Sequence, residues 1–219
     1  MNLAEKYRPQ TWEDVVGQDK LVAGLLRLRD TTGLGGNAFW LSGKSGTGKT
    51  TIAKLIAAEV ADSFCITHLH ARELTPSTLR QIDESMGYRG FGQKGGRAWI
   101  VDECHLLTDK QVGALLDLTE PIPDHIVWVF TTTTQGQLKF DWLDDASPLL
   151  SRCQRVKLRE TGLAQAFAKR AREIAVAEGL DGRPISYYLE RVKQNRNNLR
   201  AVLQEVQQGK MLSLDAAIS

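Results

Sequence analysis

Three scarcities narrow the reading of this chain before any motif is considered. Its cysteines, Cys65, Cys104 and Cys153, are odd in number, widely spaced and without a Cys-x-x-Cys pair. That excludes a disulfide framework and a cysteine zinc site, and it fits a reducing, cytosolic compartment. Excess charge is the second scarcity: the formal net charge is +2, so any contact with nucleic acid has to come from a local patch. Long apolar runs are the third, since none approaches the roughly 20 residues of a membrane-spanning helix. Met1 to Arg8 is charged where a signal peptide would be apolar, so neither secretion nor a membrane partner is expected. Internal repeats and low-complexity tracts are also missing. With 219 residues, 42% of them hydrophobic, the chain can bury a full core, in one large domain or two small ones.

The most informative stretch is Gly43-Lys44-Ser45-Gly46-Thr47-Gly48-Lys49-Thr50, which fits the phosphate-loop pattern G-x-x-x-x-G-K-[ST]. Ala38 to Ser42 before it reads as a short buried strand. Thr51 to Ala61 after it reads as a helix with Ile52, Ala53, Ile56, Ala57 and Val60 as its apolar positions. That order aims backbone N–H groups from Ser45, Gly46, Thr47, Gly48, Lys49, Thr50 and Thr51, with the positive end of the helix dipole, at phosphate oxygens. The glycines allow close approach, Lys49 adds positive charge, and the Thr50 hydroxyl suits magnesium. A nucleoside triphosphate with Mg2+ is the expected ligand.

Further apolar runs alternate with helical patterns. Phe64 to Thr67, Ala98 to Val101, Ile126 to Phe130 and Gln154 to Leu158 read as strands, with helices over Pro76 to Met86 and about Asp109 to Leu118. Apolar strands separated by amphipathic helices imply an α/β fold with a parallel sheet covered on both faces. Gly87 to Arg97 is a glycine-rich, basic loop expected to be mobile. Beyond Thr161 the strand signals stop, and helices are expected over Leu163 to Glu178, Pro184 to Gln194 and Asn198 to Gln208. The expected organisation is a nucleotide-binding α/β domain over 1–160 and a small all-helical lid over 161–219.

The strand ending in Asp102-Glu103 brings two carboxylates to the carboxyl edge of such a sheet, where ligands bind. There Asp102 would hold magnesium through water and Glu103 would polarise the attacking water. Read without the phosphate loop, an acidic pair after a strand is an ordinary solvated strand end.

Tyr7-Arg8-Pro9, Val16-Gly17-Gln18, the phosphate loop, Val101-Asp102-Glu103-Cys104-His105-Leu106-Leu107, Thr131-Thr132-Thr133 and Ser151-Arg152-Cys153 occur in this order. The combination resembles the AAA+ clamp-loader ATPases, both the bacterial gamma/tau subunit and the replication factor C small subunits, from about residue 4 to residue 208. The resemblance implies the P-loop NTPase fold of AAA+ proteins. It implies that Tyr7, Arg8, Val16 and Gly17 surround adenine, which makes ATP the nucleotide, and that Thr132 or Thr133 is the first sensor. It implies that Arg152 is an arginine finger serving the ATP of a neighbouring AAA+ subunit, so that the protein works as an oligomer. Arg200, in Asn197-Asn198-Leu199-Arg200, matches the second sensor, although Asn197 and Ala201 depart from the usual motif; as a sensor it would close the lid when ATP binds.

A sliding clamp and DNA are the partners the resemblance implies. Met86, Tyr88 and Phe91 fall where the family contacts its clamp, or are equally ordinary core and loop residues, and Arg80, Arg89, Lys94 and Arg97 could meet DNA phosphates or form a solvated face. Clamp loaders continue into a helical collar, which this chain is expected to lack, and the zinc insertion of the gamma/tau branch is missing. Asp141-Trp142-Leu143-Asp144-Asp145 reads as a small acidic insertion. The expected activity is DNA-dependent ATP hydrolysis in replication. The alternatives are a stand-alone AAA+ motor on nucleic acid or protein, and a nucleotide-binding scaffold without turnover.

Overall fold

The apolar runs pair as expected into one parallel sheet. In the computed structural model, which describes residues 2–133 and 146–213, the strands are β1 (Asn37–Ser42), β2 (Ile66–His70), β3 (Arg97–Asp102), β4 (Ile126–Thr132) and β5 (Cys153–Lys157), in the order β2-β3-β4-β1-β5. Every pairing is parallel. Burial follows position in the sheet. Central β4 is buried at all seven residues, whereas the edge strands β2 and β5 are largely open, as a sheet covered on both faces requires.

The helices are α1 (Leu3–Lys6), α2 (Asp19–Thr31), α3 (Lys49–Val60), α4 (Pro76–Met86), α5 (Asp109–Leu118), α6 (Ala146–Arg152), α7 (Ala164–Ala177), α8 (Ile185–Gln194) and α9 (Leu199–Gln207). Thr75 caps α4, with Pro76 at its first turn, and Thr108 forms a capping box with Gln111 at the start of α5. On one sheet face Trp40, Trp99, Trp128 and Phe130 form a core with Leu79 and Ile82 of α4 and Leu115 of α5. Trp128 stacks between Trp99, at 5.1 Å, and Phe130, at 5.6 Å. Alternate residues such as Phe39, Leu41 and Ile100 point to the opposite face, and α3 packs on β1, β3 and β4.

The contacts divide the chain into two compact units. One holds residues Ala23–Gly43 and Lys49–Leu158, the other Met1–Val22, Lys44–Gly48 and Arg159–Ser219. The second is helical, and its core joins Phe167, Ala171 and Ile174 of α7, Tyr188 and Val192 of α8 and Val202, Leu203 and Val206 of α9 to Leu3 of α1. The spacing of three and four residues puts each set on one helix face.

Three expectations shift. Phe64 and Cys65 belong to a 3-10 turn before β2, which runs on through His68 to His70. Phe64 is 70% exposed, so it adds nothing to the sheet. The loop expected to be mobile is fastened: Gly90 N–H donates to Gly95 O at 2.9 Å, Lys94 N–H to Asp62 Oδ2 at 2.9 Å and Arg97 Nε to Tyr88 O at 3.1 Å. Met86 is core, whereas Tyr88 and Phe91 are 70% and 78% exposed. The acidic segment Asp141 to Asp145 lies outside the described residues.

Candidate active site

Of the predicted hydrolytic residues in the α/β unit, Lys49 lies beyond the carboxyl end of β1, Asp102 and Glu103 at that of β3 and Thr132 and Thr133 at that of β4, whereas Arg152 immediately precedes β5. Lys49 opens α3, beyond β1, and its Nζ donates to Gly43 O at 2.7 Å. Thr50 follows and is partly exposed, and Thr51 is buried. Asp102 ends β3 with its side chain 24% exposed. Its Oδ1 accepts from Thr131 Oγ1 at 2.6 Å, and its Oδ2 lies 2.7 Å from His68 Nε2. Burial alone would raise the Asp102 pKa. The hydrogen bonds from His68 and Thr131, with the charges of His68 and Lys49, outweigh it and hold the carboxyl below the ordinary aspartate value.

Glu103, the next residue, differs from Asp102 in every respect. Its backbone is left-handed, with φ 59 and ψ 43, a conformation that costs a non-glycine residue free energy and collects at functional sites. Its side chain is 41% exposed, with Oε2 3.4 Å from His105 Nδ1. The same ring nitrogen lies 3.3 Å from Thr132 Oγ1. His105 therefore brings together the candidate base and one candidate sensor. Thr133 follows β4 and is partly buried.

Arg152 occupies the last turn of α6. Its Nε donates to Glu120 Oε2 at 2.6 Å, its Nη2 meets the same oxygen, and its Nη1 donates to Pro148 O at 3.1 Å. In a single chain the candidate finger is thus engaged internally. The neighbouring Cys104 and Cys153 are buried, and burial pushes their thiols up, Cys153 to about 12.

The helical unit holds the tip of the phosphate loop, Lys44–Gly48. Gly46 has φ +75, and a Cβ there would sit 1.9 Å from Asn198 Oδ1, so no other residue fits. Asn198 also caps α9, its Oδ1 accepting from Ala201 N–H at 3.1 Å. Buried Gln18 is a second anchor: its Nε2 donates to Thr47 O at 3.3 Å and to Arg159 O at 3.1 Å, and its Oε1 accepts from Arg159 N–H at 2.9 Å. Thr47 is buried, Ser45 is exposed, and Gly48 has φ +106. Gly17 has φ +80 and leaves no room for a side chain beside Leu163. Val16 is partly buried on the helical core. Tyr7 Oη donates to Glu178 Oε1 at 2.5 Å, Arg8 pairs with Glu5, and Arg200 is exposed in the first turn of α9.

Sequence reasoning passed over His68 and Glu120, and it took in Thr131 and Gln18 as motif members without a role of their own. His68 would have been found had β2 been extended to its true end; the others are brought in by tertiary pairing alone.

The donors suit a magnesium nucleotide. Asp102 and Thr50 offer oxygen, the ligand type of a hard cation, and among the described residues no group of three or more His, Cys, Asp or Glu could hold a metal by itself. Magnesium commonly takes one or two carboxylates and completes its shell with phosphates and water. Each Asp102 oxygen accepts one protein hydrogen bond and has a lone pair to spare.

The family model for AAA, the ATPase family associated with various cellular activities, matches residues 39–161. The chain is 31% identical over 185 residues to the replication factor C small subunit of Haloarcula marismortui, covering 81% of this chain and 53% of that one. It is 27% identical over 204 residues to DNA polymerase III subunit gamma of Buchnera aphidicola subsp. Acyrthosiphon pisum, covering 82% of this chain and 53% of that one. It spans about half the length of both relatives. A solved RuvB mutant of Thermotoga maritima superposes with a TM-score of 0.69 at 20% identity, over 91% of this chain and 64% of that one, which shows a shared fold. Since the family match takes in more than half of the 219 residues, the chain belongs to the AAA ATPase family.

Proposed function

We propose that the chain is an ATP-hydrolysing subunit of a clamp-loader-like assembly in DNA replication. The observation that carries the reading is Asp102, held at the end of β3 by His68 and Thr131 and kept ionised with Lys49 nearby. Lys49 and the amides of Ser45 to Thr51 would bind the phosphates, and Thr50 and Asp102 would hold magnesium, which when bound neutralises phosphate charge. Glu103 would polarise the attacking water; its left-handed backbone supports a functional role. Thr132 or Thr133 would act as first sensor and Arg200 as second. Tyr7, Arg8, Val16 and Gly17 would surround the adenine.

Arg152 would serve the ATP of a neighbouring subunit, which makes hydrolysis depend on assembly. To do so it must leave Glu120. The pair is partly exposed, so parting costs little, about 1 kcal/mol or less. DNA and a sliding clamp are the proposed partners. The names of the relatives support the replication setting, and exposed Tyr88 and Phe91 on a fastened loop support a protein-binding surface. Arg80 and Arg89, both exposed, are candidates for phosphate contact.

The test is ATP hydrolysis as a function of protein concentration, with and without primed DNA. The expected result is cooperative, DNA-stimulated turnover that falls by about 10³-fold or more in Arg152→Ala. Turnover independent of concentration and DNA would overturn the assembly and DNA parts of the proposal.

A further inference from the structure

The residue directly opposite Asp102 on β2 is His70, and His68 is opposite Ile100. His70 is committed elsewhere, its Nδ1 accepting from Arg72 N–H at 3.2 Å in the turn that follows the strand. His68 is the diagonal neighbour. It shares a face with His70 because strand side chains alternate with period two, and diagonal neighbours lie within reach of a long side chain. Its Nε2 meets Asp102 Oδ2 at 2.7 Å. From the other flank of β3, Thr131 of β4 donates to Oδ1 at 2.6 Å.

The carboxylate is therefore gripped by one donor on each oxygen, from both strands that pair with β3. Two such bonds stop rotation about the Cβ–Cγ bond and aim the remaining lone pairs. An ionised carboxylate only accepts, so the contact requires the proton on Nε2. We infer that His68 is a positioning residue for Asp102, fixing together with Thr131 the plane of the carboxylate through which this chain would hold a magnesium nucleotide. The inference rests on the nucleotide-binding reading above. Metal-binding carboxylates depend on such partners, and removing one typically costs 10–100-fold in metal affinity.

Manganese(II) is the probe, bound to the full chain with a non-hydrolysable ATP analogue and followed by the electron paramagnetic resonance of the free ion. His68→Leu removes the donor and is expected to raise the manganese dissociation constant by about tenfold. Analogue binding in EDTA and the melting temperature should stay unchanged. His68→Gln keeps an N–H donor of similar reach and should restore most of the affinity. His68→Phe, with the ring's shape and no donor, guards against a misfolded leucine variant and should match it. Manganese affinity unchanged in the folded donor-less variants, or lost equally in His68→Gln, would overturn the positioning role while leaving nucleotide binding intact. No analogue-dependent manganese binding by the wild type would overturn the nucleotide reading and this inference together.

Discussion

Polar side chains do different work in the two units. In the α/β unit the interiors of β1, β3 and β4 are apolar and buried, and polar groups gather where these strands end: Asp102, Thr131 and Thr132 on the sheet, with Lys49 beyond β1. In the helical unit polar groups hold the architecture. Buried Tyr188 donates to Asp181 Oδ1 at 2.8 Å, and Arg172 Nε donates to Oδ2 at 3.2 Å. Arg191 grips Glu205 with two nitrogens, Nε–Oε2 being 2.8 Å. Where a packed sheet supplies stability, its polar ends are available for chemistry. A small helical core leans on its ion pairs. Substitutions should therefore separate, with turnover lost at the sheet edge and stability lost in the helical unit.

The largest stability effect expected among the polar groups is at Arg191→Ala, which takes both guanidinium contacts from a mostly buried Glu205 carboxylate and leaves it the longer Lys210 pair at 3.8 Å and the Asn195 hydrogen bond. A loss of about 1.5–3 kcal/mol is expected, read as a lowered melting temperature, with ATP turnover unchanged well below the transition. Lost turnover at full stability would break the contrast. A smaller effect is expected from acid. Burial raises the pKa values of Asp181 and Glu205, but hydrogen bonds from Tyr188 and Arg172 to the first, and from Arg191 and Asn195 to the second, bring both below their ordinary values. Such groups add stability that is complete above the ordinary carboxylate range near pH 4 and lost as pH falls through the lowered values. Melting temperature should thus be level from neutral pH to about 5 and decline below about 4. The deficit of Arg191→Ala should shrink over the same range, because protonation removes the charge that Arg191 was holding. A deficit that grows in acid would contradict the assignment.

The sheet was legible from the sequence where strands are buried on both faces, since β1, β3 and β4 are continuous apolar runs. At the edge the signal failed. β2 is mostly polar, so Phe64 and Cys65 drew the reading two residues early and left His68 outside it. The short α1 and the polar α2, with Leu25 as its buried residue, carry too little periodicity to be read. Lys49, Thr50, Asp102 and Glu103 were legible because a contiguous motif or a strand end announces them. His68 and Thr131 lie 34 and 29 residues from Asp102 along the chain, and strand pairing alone makes them its neighbours.

The most direct test of the account is ATP binding and ATP turnover in Glu103→Gln, an isosteric change at an exposed side chain. Binding as tight as in the wild type is expected, with turnover lowered by about 10²–10⁴-fold, the typical contribution of a general base. Near-normal turnover in that variant would remove Glu103 from the chemistry and contradict the placing of the hydrolytic centre at the end of β3.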